Sequence, residues 1–199
     1  MGKKIILASG SPRRKELLMM AGISFEILVP DVNEDPFLGE KPDRMVKRLA
    51  REKALAVLQK VPEGRSSQFI IAADTTVVNP SGKILGKPDG RRQAVDMLQT
   101  LQGKVHHVFT GYSILLCSTG RVSRKVQRVV GTHVHIRKMS LLEIKRYVDL
   151  GESFDKAGAY AAQGFGMTII ERINGSYTNV VGLPMTELVS DLKDLGWKP

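Results

Sequence analysis

Cysteine is almost missing from this chain of 199 residues: Cys117 stands alone, so no intrachain disulfide can form. It follows the apolar run Ile114-Leu115-Leu116 and reads as a packed thiol. Aromatic residues amount to only 6%, without the interleaving of aromatic and basic side chains that marks single-stranded RNA readers. Apolar runs all fall short of the roughly 20 residues that span a bilayer. At the amino end only the apolar stretch Ile5 to Ala8 follows the lysines, too little for a signal-peptide core, so a cytoplasmic location with no membrane partner is expected. Ile6 stands where myristoylation of Met1-Gly2 would want serine or threonine. Ser/Gly-rich and Pro-rich linkers are absent, as are internal repeats, which favours one domain over 1–199 with room for two lobes. The Gly-x-Ser-x-Gly elbow, the Walker loop and the dinucleotide fingerprint are missing too.

Acidic residues are the minority charge, 20 against 30 basic ones, giving a net +10. That balance favours polyanionic ligands in general, without choosing among nucleotides, nucleic acid and an anionic surface. Part of the excess, Arg121 to Arg128, reads as a solvated hairpin.

What is present gathers first at Ile5-Ile6-Leu7-Ala8-Ser9-Gly10-Ser11-Pro12-Arg13-Arg14. The apolar residues suit a strand covered on both faces, and Ser11 followed by Pro12 places a side-chain cap and a proline at a helix start. Such a start carries unpaired N–H groups and partial positive charge. With Ser9, Gly10, Ser11, Arg13 and Arg14 converging there, it reads either as a phosphate-sized anion site or as an ordinary strand-turn-helix.

Further along, a helix is expected to Ala21, a strand over Phe25 to Val29, and an acidic loop with Asp31, Glu34 and Asp35. Pro42 to Lys60 has helical spacing that places Lys47, Arg51 and Lys53 away from the apolar stripe. Pro62 to Ser67 reads as a surface connection, and Phe69 to Val78 as a strand with Asp74 in its middle. A turn at Asn79 to Gly82 folds it back through Ile84-Leu85, which would bring Lys87 towards Asp74. A helix closed by Gly103 follows, then two long strands, Val105 to Cys117 and Val122 to Ile136, joined by Ser118-Thr119-Gly120-Arg121. Ser140 and Glu143 form a capping box for a helix to Leu150. The Gly/Ala-rich stretch 151–166, with Glu152, Asp155, Lys156 and Gln163, reads as poorly packing and ligand-lining. A strand over Met167 to Ile173, a turn at Asn174-Gly175 and a last helix with Leu188, Leu192 and Leu195 inward complete the chain.

A carboxylate inside an apolar strand is costly unless paired or metal-bound, so Asp74 is the leading acid, with a structural ion pair as its alternative. Asp74 and Glu34 together could hold Mg²⁺ while Arg13, Arg14, Lys53 and Lys87 surround a triphosphate. His106, His107, His133 and His135 lack a third ligand nearby and read as solvated or sheet-face residues.

Six segments in order resemble the Maf family of nucleoside triphosphate pyrophosphatases: Leu7 to Leu18, Ala73-Asp74-Thr75-x-Val77, Gly86-Lys87-Pro88, His106-x-Val108-x-Thr110-Gly111, Asp155 to Gly164, and Asn179 to Pro184. The resemblance implies an elongated α/β domain, its mixed twisted sheet flanked by helices and its two lobes around a cleft, similar to inosine triphosphate pyrophosphatases. It implies hydrolysis of a nucleotide to monophosphate and pyrophosphate with a divalent cation, Mg²⁺ or Mn²⁺. By position, Asp74 matches the family's proton acceptor, and Ser9, Arg13, Arg14, Glu34, Lys53 and Lys87 match polar residues of its pocket; Glu34, Lys53 and Lys87 are expected to be catalytic with Asp74, and Asp74 and Glu34 to hold the metal. Ser9, Arg13, Arg14, Thr75, Asp155, Lys156 and Gln163 are expected to bind the substrate. Gln163, Thr75 and Arg13 lie where the family separates pyrimidine-specific members from those acting on 7-methyl-GTP, and a neutral Gln163 amide favours dTTP and UTP. The sequence departs from the family at Gly90, where Asp is frequent, and at Gln102, where Ser is.

The expected activity is therefore a Mg²⁺-dependent dTTP/UTP pyrophosphatase without a stable nucleic-acid partner, and the resemblance admits a homodimer. The rival is a nucleic-acid-binding or nucleotide-sensing regulator with little turnover, which the +10 charge allows and the family's association with septum formation would suit.

Overall fold

The computed structural model describes residues 3–61, 67–118 and 121–198. Residues 62–66 of the connection expected at Pro62 to Ser67, and residues 119–120 of the turn expected at Ser118 to Arg121, lie outside the described residues. The elements run β1 (Lys4–Ala8), α1 (Pro12–Met20), β2 (Glu26–Ile27), α2 (Pro42–Lys60), β3 (Gln68–Val78), β4 (Ile84–Leu85), α3 (Arg91–Leu101), β5 (Val105–Ser118), β6 (Arg121–Ile136), α4 (Leu141–Asp149), β7 (Ile170–Asn174), α5 (Tyr177–Val181) and α6 (Met185–Asp194). Short 3₁₀ turns at Ala157–Ala159 and Gly164–Thr168 separate α4 from β7.

Seven strands form one mixed sheet in the order β2-β1-β3-β5-β6-β7, with β4 paired to β3 off that path. β1 lies parallel to both β2 and β3, which is why Ile5 to Ala8 need no polar alternation and are buried throughout. β3 with β4, and β6 with β7, pair antiparallel. Among the described residues no helix is long and apolar enough to cross a membrane.

The chain divides into two compact units. The first comprises the described residues of Met1–Asp74, Thr110–Val130 and Gly182–Pro199. In it Ile6, Ala8, Ile70 and Ala72 of β1 and β3 pack on Ala54 and Val57 of α2, with Leu115 and the buried thiol of Cys117. The β5 backbone meets α2 so closely that a Cβ on Gly111 would fall 2.4 Å from the Val46 carbonyl oxygen. The second unit comprises Thr75–Phe109 and Gly131–Val181. Its core joins Leu98 and Leu101 of α3 to Ile144, Tyr147 and Val148 of α4 around Val108, Val134 and Ile136.

α2 has the expected bounds, and α4 carries both arms of the Ser140–Glu143 capping box. Leu188, Leu192 and Leu195 are buried as expected. β2 is shorter than expected, because its two residues are both exposed and pair only with β1. The 151–166 stretch is not loosely packed throughout: Gly158, Ala159, Ala161 and Gly166 are buried, small residues allowing close approach to the core, and Tyr160 is buried among them. The strand expected from Met167 begins only at Ile170, after the 3₁₀ turn, and α5 was not legible in advance.

Candidate active site

α1 starts as its sequence dictates, but the capping residue differs from the expected one. Ser11 is extended at the N-cap and its side chain makes no capping bond. Pro12 in the first turn has no N–H to satisfy, and the hydroxyl that organises the turn belongs to buried Ser9 instead. Ser9 Oγ accepts the Ser11 N–H at 3.2 Å and Arg14 Nη1 at 3.2 Å. Arg14 Nε donates to the Gly182 carbonyl at 2.8 Å, so one guanidinium ties the end of β1 to the chain leading into α6. Desolvation lowers the Arg14 pKa, the Asp74 and Glu34 charges oppose that shift, and neighbouring Arg13 adds to it.

Asp74 closes the first unit's stretch of β3 and is 7% exposed. Lys53 meets it: Nζ lies 2.6 Å from Asp74 Oδ1 and 2.8 Å from Glu34 Oε1. This overturns the expectation that Lys53 points away from the apolar stripe. Val46, Leu49, Ala50, Lys53, Ala54 and Val57 share one buried face of α2, at the i, i+3, i+4, i+7 spacing of such a face. The ammonium avoids an unpaired burial by bonding two carboxylates, one from the strand and one from the exposed loop before α2. Ser9, Arg13, Arg14, Glu34, Lys53 and Asp74 are thus assembled within the first unit, three cations against two carboxylates.

The second unit holds the remaining expected residues. Thr75 is half-buried in β3 and Lys87 is exposed just past β4. Asp155 and Lys156 serve one another: Lys156 Nζ donates to Asp155 Oδ1 at 2.6 Å and to the Glu152 carbonyl at 2.7 Å. Gln163 is half-buried and extended immediately before Gly164, without a side-chain cap bond to the turn that follows.

Several polar groups escaped the sequence reading. His106 is not solvated but wholly buried, its Nε2 2.7 Å from the Tyr160 hydroxyl, and burial pulls its pKa down to about 4. His107 and His133 do sit on a sheet face, with ring centroids 4.3 Å apart. Among the described residues no group of three His, Cys, Asp or Glu could hold a metal ion. In the first unit, buried Asp191 accepts the Tyr112 hydroxyl at 2.6 Å and Arg128 Nη2 at 2.7 Å, so Arg128 is not merely a solvated charge. In the second, Asn179 Nδ2 donates to the Val108 carbonyl and to Thr132 Oγ1. A helix-like amphipathic count for α6 would have flagged Asp191, an acid in line with Leu188, Leu192 and Leu195.

A dTTP/UTP pyrophosphatase of Geobacter sulfurreducens is 44% identical over 97% of this chain and 97% of its own length. One from Caldicellulosiruptor saccharolyticus is 44% identical, covering 98% and 96%, and one from Geobacter metallireducens is 46% identical, covering 97% and 96%. Among solved structures, a nucleoside-triphosphatase / dITP/XTP pyrophosphatase of Mycobacterium abscessus aligns with a TM-score of 0.40 and 15% identity over 96% of this chain and 94% of that one, a likeness too slight to settle a fold. The profile of the Maf-like protein family matches residues 4–195, and with these full-length relatives the chain belongs to that family.

Proposed function

We propose that this chain hydrolyses dTTP and UTP to the nucleoside monophosphate and pyrophosphate. The names of its full-length relatives support the substrates. The observation that carries the chemistry is Lys53, a buried cation bonded to both Asp74 and Glu34, beside the Ser9–Arg14 turn.

In this reading water attacks the α-phosphorus, the bridging bond to the β-phosphate oxygen breaks, and pyrophosphate leaves. Lys53 bonds Asp74 Oδ1, and Asp74 is assigned as the base that accepts the proton of the attacking water. Arg14 is held by Ser9 and Gly182 through bonds within the protein, which makes its charge preorganised rather than mobile. Arg13, Lys53 and Lys87 supply further positive charge for the phosphates. Asp74 and Glu34 offer carboxylate oxygens bonded to the same ammonium, and a hard cation such as Mg²⁺ commonly takes one or two carboxylates and completes its shell with substrate phosphates and water. Those two residues would hold it, and when bound it would neutralise charge on the leaving pyrophosphate. Gln163 is assigned to the base: its amide complements O4 and N3–H of thymine or uracil, with Thr75 and Arg13 beside it in role.

The test is hydrolysis of a nucleoside triphosphate panel scored for pyrophosphate, with and without chelator. dTTP and UTP should be preferred over CTP and 7-methyl-GTP, and Asp74→Asn should lower turnover by at least about a hundredfold. Faster hydrolysis of 7-methyl-GTP than of dTTP at subsaturating concentration would sink the substrate assignment, and full activity in excess chelator would remove the metal.

A further inference from the structure

Between α4 and β7 the second unit folds around one carboxylate. Glu152 Oε1 accepts the Phe165 N–H at 3.2 Å. The Glu152 carbonyl is itself pinned by the Lys156 ammonium, which Asp155 also holds. Gly164 sits at φ +61, and a Cβ there would stand 2.3 Å from Glu152 Oε1, so the carboxylate fills the space a side chain would need. Glycine suits this position through its left-handed backbone.

Glu152 Oε2 is buried and accepts no hydrogen bond among the described residues. A buried carboxylate oxygen without a donor is costly, and an apolar side chain would support a surface turn at less expense. What Glu152 secures is the segment carrying Gln163, whose side chain takes no part in capping its own turn. A neutral amide reads one base only when its orientation is fixed, because half a rotation exchanges its donor and acceptor.

We propose that Glu152 is the positioning residue for Gln163. By binding the backbone two residues beyond it, the carboxylate sets where the amide stands and thereby sets selectivity among pyrimidine nucleotides. The inference rests on the base-reading role proposed for Gln163 above.

The experiment compares kcat/KM for dTTP and CTP in the parent, Glu152→Ala, Glu152→Gln and Gln163→Ala. In Glu152→Ala the dTTP-to-CTP ratio should fall about tenfold, the worth of one misaligned hydrogen bond, chiefly through KM for dTTP. Glu152→Gln keeps an oxygen that can accept the Phe165 N–H and should restore most of the ratio. Gln163→Ala should lower it at least as far as Glu152→Ala. A parent-like ratio in Glu152→Ala with a lowered ratio in Gln163→Ala overturns the positioning role alone. No dTTP preference in the parent, or an unchanged ratio in both variants, overturns the base-reading role with it. An equal loss of kcat on both nucleotides at constant ratio marks Glu152 as purely structural and also refutes the proposal. Should Glu152→Ala not fold, Glu152→Asp, a carboxylate one methylene shorter, carries the same comparison.

Discussion

Replacing Lys53 by methionine tests how the first unit's charges are held, because the change keeps length and apolar stem while deleting the ammonium. Two carboxylates lose their shared partner, and they lose it unequally. The Glu34 side chain is 59% exposed, so solvent takes over and the loss there is about 0–1 kcal/mol. The Asp74 side chain is 10% exposed and keeps only the more distant attraction of Arg14, which points to about 3 kcal/mol. For a chain of this size that amounts to a melting temperature lower by about 6 to 12 °C. Asp74→Asn is the informative contrast. It leaves Lys53 paired with Glu34 at 2.8 Å and retains an oxygen acceptor, so its stability cost should be about 1 kcal/mol. Urea unfolding of both single variants and of the Lys53→Met/Asp74→Asn double variant reads these numbers directly. The double variant should recover most of the Lys53→Met loss, since no buried charge then remains unpaired. If Asp74→Asn were the more destabilising single change, or the double variant no better than Lys53→Met, the account of a lysine bridging two carboxylates would fail.

Gly111→Ala should destabilise by about 3 kcal/mol or prevent folding, because the new Cβ meets the Val46 backbone rather than a side chain that can move; wild-type stability on denaturant unfolding would refute the close approach. Tyr112→Phe should cost about 1–3 kcal/mol by leaving one oxygen of buried Asp191 without its donor, as read by thermal unfolding, while Arg128 retains the other. His106 has a folded-state pKa of about 4, below its ordinary value of 6.5, so the unfolded chain binds the proton first as pH falls. Its contribution is present above about pH 6.5 and is lost progressively down to about pH 4, up to about 3 kcal/mol, and His106→Gln should flatten stability across that window.

Where one physical signal dominated, the sequence was enough. Ile5 to Ala8 reads as a covered strand because parallel neighbours on both sides permit no polar alternation, and α2 and α4 are set by apolar spacing and by a reciprocal cap. Asp74 could be singled out because a carboxylate in an apolar run demands a partner. Its partner could not be read: the helical spacing sets Lys53 away from the apolar stripe, since a lysine beside such a stripe usually extends its ammonium to solvent. The α1 turn failed for a related reason. Ser11 occupies the N-cap position without using its side chain, while an upstream hydroxyl, Ser9, accepts the N–H of Ser11 itself and a bond from an arginine, a choice that the cap pattern does not encode. His106 was hidden because its burial depends on Tyr160, 54 residues away.

The arrangement at Lys53 bears on function through its cost. A buried ion pair is rarely the most stable solution for a core position, since well-packed apolar residues of similar volume are often as stable or more so. α2 already buries Leu49, Ala50, Ala54 and Val57 on that face, and nothing in the helix required a charge among them. Stability alone therefore does not account for Lys53 and Asp74, whereas the proposed nucleotide hydrolysis would. In that reading a carboxylate facing phosphates needs a fixed cation against it, and a lysine bonded to two carboxylates would stay in place whichever of them a substrate or metal drew on. The Ser9–Arg14–Gly182 linkage applies the same logic within the first unit, with a backbone carbonyl and a hydroxyl fixing the guanidinium. Both cations are anchored through bonds within the protein, so little of their ordering remains to be done on binding.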